Sequence, residues 1–155
     1  MKTTRRSFLE FAGGACAMAA LGAAGLLRSV VARAATWNKA GFDAKAFADA
    51  MKAIGATGAA ESKDIVITAP DIAENGAVVP VEVTSRIPGT ESISIVAEKN
   101  PFPLVATVDL ANGSEPYTYV RIKMGQTSDV YAVVKAGGKV FTAKKEIKVT
   151  VGGCG

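Results

Sequence analysis

The residue most able to do covalent chemistry in this chain is a single thiol near its end. Histidine is absent from all 155 residues, which removes both the commonest general base and the commonest neutral metal ligand. The two cysteines, Cys16 and Cys154, are far apart and form no Cys-x-x-Cys pair. Independent dithiol redox chemistry is therefore not expected, and neither is a metal site or a cofactor. Cys154 has a distinctive setting, because Gly152-Gly153-Cys154-Gly155 follows directly on an alternating run that reaches Val151. Glycines on both sides leave the backbone free in φ and ψ and remove side chains that would clash, so the segment can thread a narrow channel in another protein. Four residues span at most about 13 Å, which is the reach of an arm rather than of an interdomain linker. A cysteine kept for packing sits inside a core as a small hydrophobe, whereas this one has neighbours that bury nothing.

The nucleophilic form of cysteine is the thiolate, and a reference pKa near 8.5 leaves only a few per cent ionised at neutral pH. The Gly155 carboxylate opposes ionisation, and Lys148 stands six positions back. The expected role of Cys154 is thus passive. It supplies an attachment atom, and activation comes from the site that receives the arm, so the chain is read as a carrier and not as an enzyme.

The elements around this arm are an export leader and one domain. Thr4-Arg5-Arg6-Ser7-Phe8-Leu9-Glu10 is a twin-arginine pattern, followed by a mildly apolar stretch from Phe11 to Leu27 and by Ala32-Arg33-Ala34. Residues 1–34 read as a cleaved signal peptide, with no membrane anchor left after cleavage and the periplasm as destination. The stretch is too diluted by small residues for a transmembrane helix. Cys16 leaves with it, and Gly13-Gly14-Ala15 is a poor lipoprotein signal. Since this export route carries folded cargo and no cofactor is in sight, a partner carried across in complex is the better explanation for its use.

The formal charge of +4 is also a property of the leader. Lys2, Arg5, Arg6, Arg28 and Arg33 stand there against Glu10 alone, leaving 13 basic and 13 acidic residues from Ala35 onward. A neutral domain has no excess attraction for phosphate, so nucleic acid is excluded as a partner.

Residues 35–151 are expected to form a mainly β domain, an immunoglobulin-like antiparallel β-sandwich of about seven strands with a short N-terminal helix. The helix is expected to begin after Asp43 as N-cap, with Phe42 and Phe47 as a hydrophobic staple, Phe47, Met51 and Ile54 along one face, and Gly55 at its close. It reads as a lid over one end of the core. β-Branched runs at 65–67, 78–87, 92–97, 105–110, 117–124, 130–135 and 139–151 are separated by Asn75-Gly76, Pro88-Gly89, Asn100-Pro101, Asn112-Gly113 and Gly137-Gly138. In the last run Ile147, Val149 and Val151 alternate with Lys148 and Thr150, as a half-buried strand requires. Tyr117, Tyr119, Tyr131 and Phe141 fall in strand patterns and read as packing. Phe102, in a loop between Pro101 and Pro103, reads either as a buried turn anchor or as a partner contact, Trp37 can either cap the core or meet a partner, and Lys144-Lys145-Glu146 reads as a solvated strand segment.

A twin-arginine leader, a small neutral β domain and a terminal Gly-Gly-Cys-Gly together resemble the SoxY family, the Y subunit of the periplasmic Sox thiosulfate-oxidation system. Family members commonly carry one further glycine. The resemblance implies that Cys154 is the covalent sulfur attachment residue and that Gly152, Gly153 and Gly155 form the flexible arm of residues 152–155. It implies a cysteine S-thiosulfonate made with thiosulfate by a cytochrome-type enzyme (SoxXA), sulfate release by a hydrolase (SoxB), and oxidation of the remaining sulfur by a dehydrogenase (SoxCD). It also implies a heterodimer with a small SoxZ-like subunit, which fits the export route. The competing reading is an exported immunoglobulin-like binding module whose terminal cysteine is incidental or pairs with another chain.

Overall fold

A computed structural model of the chain describes residues 37–111 and 113–150. Two sheets form the domain, joined by strands that alternate inward and outward residues. Strand β4 (Val79–Ser85) buries Val79, Val81, Val83 and Ser85 and turns Pro80, Glu82 and Thr84 outward, the period of two that a sheet with one wet face demands. It lies between β2 (Ile65–Thr68) and β7 (Tyr117–Ile122) in an antiparallel three-stranded sheet.

The larger sheet runs β1-β9-β8-β5-β6. Its long members are β5 (Thr90–Ala97), β6 (Leu104–Asp109), β8 (Ser128–Ala136) and β9 (Lys139–Val149). The two-residue strands β1 (Ala60–Glu61) and β3 (Ile72–Ala73) both pair with β9 in parallel. Gly137 and Gly138, at φ 55° and 72°, close the β8–β9 hairpin. Two consecutive positive φ values are what a two-residue turn matched to the strand twist requires.

Ile65 and Val79, Val81 and Val83 from the small sheet meet Ile93, Ile95, Val130, Ala132, Val134 and Ile147 from the large one in a single buried cluster. Each of the larger side chains contributes roughly 1.5–3 kcal/mol by leaving water, so this interface between the sheets carries the domain. The architecture is the expected immunoglobulin-like antiparallel sandwich, with the two short parallel strands added at β9.

The N-terminal region differs from expectation. Two helices replace one: α1 (Lys39–Asp43), capped by the Asn38 side chain accepting from Gly41 N at 3.0 Å, and α2 (Phe47–Ala53). Asp43 ends α1 rather than capping α2, because Ala44 turns extended at ψ 132° and Ala46, which carries no capping side chain, precedes α2. Gly55 does close α2, at φ 72°. The helices also do not lie over one end of the core. Ala50 and Ile54, with Phe42, Phe47 and Met51, pack on Val96, Leu104 and Val133, residues of the large sheet that point away from the small one. Strand β5 is consequently buried on both faces from Ser92 to Ala97.

Candidate functional site

Cys154, Gly152, Gly153 and Gly155 lie outside the described residues, as does Cys16. What the structure provides is the root from which residues 152–155 continue. That root is the C-terminal end of β9, and it is bonded on both sides. On one side β9 pairs with β3 through Ile72↔Lys148 and Ala73↔Val149, and Thr150 N donates to the Ala73 carbonyl at 3.2 Å. On the other side the ladder with β8 ends at Ser128↔Ile147. Beyond that point Val149 N donates to the Thr127 hydroxyl at 3.0 Å, so a side chain continues the bonding where the backbone ladder stops.

The loops around this end are tied to one another. Lys99 N donates to the Ser128 hydroxyl at 3.0 Å, and the Asn100 amide donates to the Lys123 carbonyl at 2.7 Å. Gly76 sits where no side chain fits: a Cβ there would lie 2.3 Å from the Met124 carbonyl oxygen and 2.8 Å from Val149 Cγ1. The approach is close because Met124 N donates to the Gly76 carbonyl at 2.7 Å. Loops 74–78, 98–103 and 123–127 thus form one bonded platform around the C-terminal end of β9.

Further along the same strand, Lys145 reaches across to Asp71 at 2.9 Å and donates to the Ala69 carbonyl at 2.7 Å. This pins the segment that leads into β3. Lys144 pairs with Asp129 at 2.8 Å, and this bond, with the neighbouring Tyr131 phenol, raises the ammonium pKa above its ordinary value. Tyr131 packs against Phe47 with ring centroids 4.8 Å apart, and burial, helped by Glu98, pushes its phenol upward. Lys144 and Glu146 are exposed, as expected of a solvated strand segment, while Lys145 is half-buried beside Asp71. Tyr131 and Phe141 pack as expected, whereas Tyr117 and Tyr119 stand exposed on the outer face of the small sheet. Trp37 is exposed and stacks flat on Phe42 at 4.2 Å.

Among the described residues no cluster of His, Cys, Asp or Glu is arranged to hold a metal ion, and no helix is long and apolar enough to cross a membrane. A cleft of about 460 Å³ opens at the opposite end of the sheets, lined by Arg86, Pro88, Glu91, Leu110 and Pro116 among others. It lies away from the root of the arm. The residues that sequence reasoning missed, Gly76 and Thr127, act through contacts with Val149 made across the fold. The Asn75-Gly76 turn signal was the only trace of either.

A family model described as sulfur oxidation protein SoxY matches residues 50–154. No curated protein matches. Among solved structures, the sulfur carrier protein SoxY from Chlorobium limicola f thiosulfatophilum is 46% identical, with a TM-score of 0.55 over 59% of this chain and 83% of that one. A superoxide reductase (neelaredoxin) from Ignicoccus hospitalis is similar at 23% identity and a TM-score of 0.50, over 59% of this chain and 83% of its own. That second likeness is one of fold alone. The family match takes in the last four residues of α2, the sandwich and the tail as far as Cys154, its last matched residue.

Proposed function

The chain belongs to the SoxY family, the sulfur carriers of the Sox system, and from that premise we propose that Cys154 is its attachment atom and that the protein works in the periplasm. In this reading residues 1–34 are a twin-arginine leader removed on export, 35–151 the sandwich, and 152–155 the carrier arm. Thiosulfate is joined to the Cys154 sulfur by oxidation: the thiol loses its proton, a sulfur–sulfur bond forms, and two electrons pass to a cytochrome-type enzyme. Hydrolysis of the resulting S-thiosulfonate by water then releases sulfate and leaves a persulfide on the cysteine. In this reading the base and the electron acceptor belong to the enzymes that receive the arm. Its part is to hold the sulfur on a short tether while other proteins act on it.

The observation that carries this reading is that the family match runs to Cys154 at its last residue; the bonding of β9 as far as Thr150 supports it. A small SoxZ-like subunit is the proposed stable partner, with SoxXA, SoxB and SoxCD as transient ones. The test is intact mass spectrometry of protein from thiosulfate-grown cells. Sulfur-bearing adducts that vanish in Cys154→Ser support the assignment. Full sulfur turnover by the complete enzyme set with Cys154→Ser would refute it and favour the binding-module reading.

A further inference from the structure

The length of the arm restricts where a receiving enzyme can sit. Cys154 is four residues past Thr150, so its Cα lies at most about 14 Å from the last bonded residue of β9. An enzyme that takes this sulfur into a recessed site must bring its own surface down onto the base of the arm. A specific interface covers roughly 800 Å² on each partner, a disc of about 16 Å radius. Centred on Thr150, a disc of that size spans the bonded platform of loops 74–78, 98–103 and 123–127.

Three of the six large hydrophobic side chains that stand exposed among the described residues are on or beside this platform. Ile72 is 56% exposed, Val78 51% and Phe102 52%. All three belong to the arm's end of the sandwich. Ile72 pairs with Lys148. Val78 precedes Val79, which pairs with Ile122 at the end of β7. Phe102 lies in the loop whose Lys99 and Asn100 are bonded to Ser128 and Lys123. Phe102 stands exposed on a loop held by these bonds, and a rigid apolar anchor is the kind of residue that dominates binding energy.

We infer that Ile72, Val78 and Phe102 form a docking collar around the base of the arm, and that its occupant is a sulfur-processing enzyme with an apolar rim around a narrow channel. The inference rests on the carrier reading of Cys154. Because the arm is short, one collar serves every enzyme that receives the sulfur, and these enzymes compete for it. The platform's hydrogen bonds hold the collar in register with the channel that the arm enters.

The test uses the complex of this chain with its small partner subunit and the thiosulfate-conjugating enzyme, with the carrier as varied substrate. Replacing Ile72, Val78 and Phe102 together by serine is expected to raise KM for the carrier about tenfold, with kcat, melting temperature and the iodoacetamide reactivity of Cys154 unchanged. Phe102→Ser alone, the variant to use if the triple does not fold, is expected to give about a threefold rise. Arg86→Ser with Pro88→Ser, at the opposite end, is expected to change nothing. A KM within twofold of wild type for the serine variants, while Cys154→Ser is inactive, overturns the collar and leaves the carrier reading intact. Loss of the partner subunit on gel filtration also overturns it, by assigning the surface to the subunit interface. Activity retained by Cys154→Ser removes the carrier reading, and the collar with it.

Discussion

Replacing Gly76 by alanine tests whether the base of the arm is held by close packing. The added Cβ would stand 2.3 Å from the Met124 carbonyl oxygen and 2.8 Å from Val149 Cγ1. The first contact is with backbone, which cannot rotate out of the way. Either the 74–78 turn lifts, breaking the 2.7 Å bond from Met124 N to the Gly76 carbonyl, or Met124, 2% exposed in the core, is displaced. Overpacking of this kind costs about 1–3 kcal/mol, and a lost hydrogen bond adds roughly 0.5–1.5 kcal/mol. The expected destabilisation is about 2–4 kcal/mol, or on the order of 8–15 °C in melting temperature for a domain of this size. Calorimetry gives the magnitude, and hydrogen exchange at Lys148, Val149 and Thr150 locates it, because the displaced turn no longer supports Val149. Gly125→Ala is the control: it lies in a neighbouring loop, has no atom within 4 Å of its added Cβ and has no positive φ. A melting temperature for Gly76→Ala within about 2 °C of the control would show that the turn yields freely and that the platform is not close-packed.

Two further outcomes follow from the bonding on β9. Thr127→Val removes the acceptor for Val149 N and is expected to cost about 1 kcal/mol and to speed amide exchange at Val149, whereas Thr127→Ser keeps both near wild type; equal exchange in the two variants would refute the assignment. Stability against urea is expected to hold through neutral pH and to fall only above pH 10, because Lys144 and Tyr131 are both raised from unfolded values of 10.5 and 10.0. The folded state retains protons there that the unfolded state releases, so their contributions are complete below the unfolded values and vanish as pH climbs through the folded ones. Tyr131→Phe should make that fall shallower, and a decline that begins below pH 9 would contradict the linkage.

The strands were readable because one property, alternation in β-branched runs, is local and is interrupted by glycine or proline at each turn. The seven runs correspond to β2 and β4 through β9, and the Gly137-Gly138 hairpin sits where its two glycines put it. Strands β1 and β3 were not readable. Two residues cannot show a period, and both exist only because β9 offers them an edge. The helical layer was misread for a related reason. Asp43 has the chemistry of an N-cap, but Asn38 already caps a turn upstream and α1 uses Asp43 as its last residue, paired with Lys39. Which face the helices cover was written in β5, whose unbroken burial from Ser92 to Ala97 is the mark of a strand covered on both sides. As for the site, composition and position single out Cys154, which lies outside the described residues and whose carrier role is a proposal. Thr127 and Gly76 were not legible, since each matters only for what lies beside it across the fold.

The choice of β9 to bear the arm has a mechanical logic. It is eleven residues long and pairs with β8 along one edge and with β1 and β3 along the other. On the proposed reading of Cys154, a tether of about 14 Å gains nothing from a base that moves, because slack at the base becomes uncertainty in where the sulfur arrives. A strand bonded on both edges, with a threonine hydroxyl continuing the bonding past the end of the ladder, is held in place as far as Thr150. The same rigidity makes exposed apolar residues around that point useful as fixed landmarks. On the proposed reading, a fixed base and the proposed collar would place specificity in the platform rather than in the glycines.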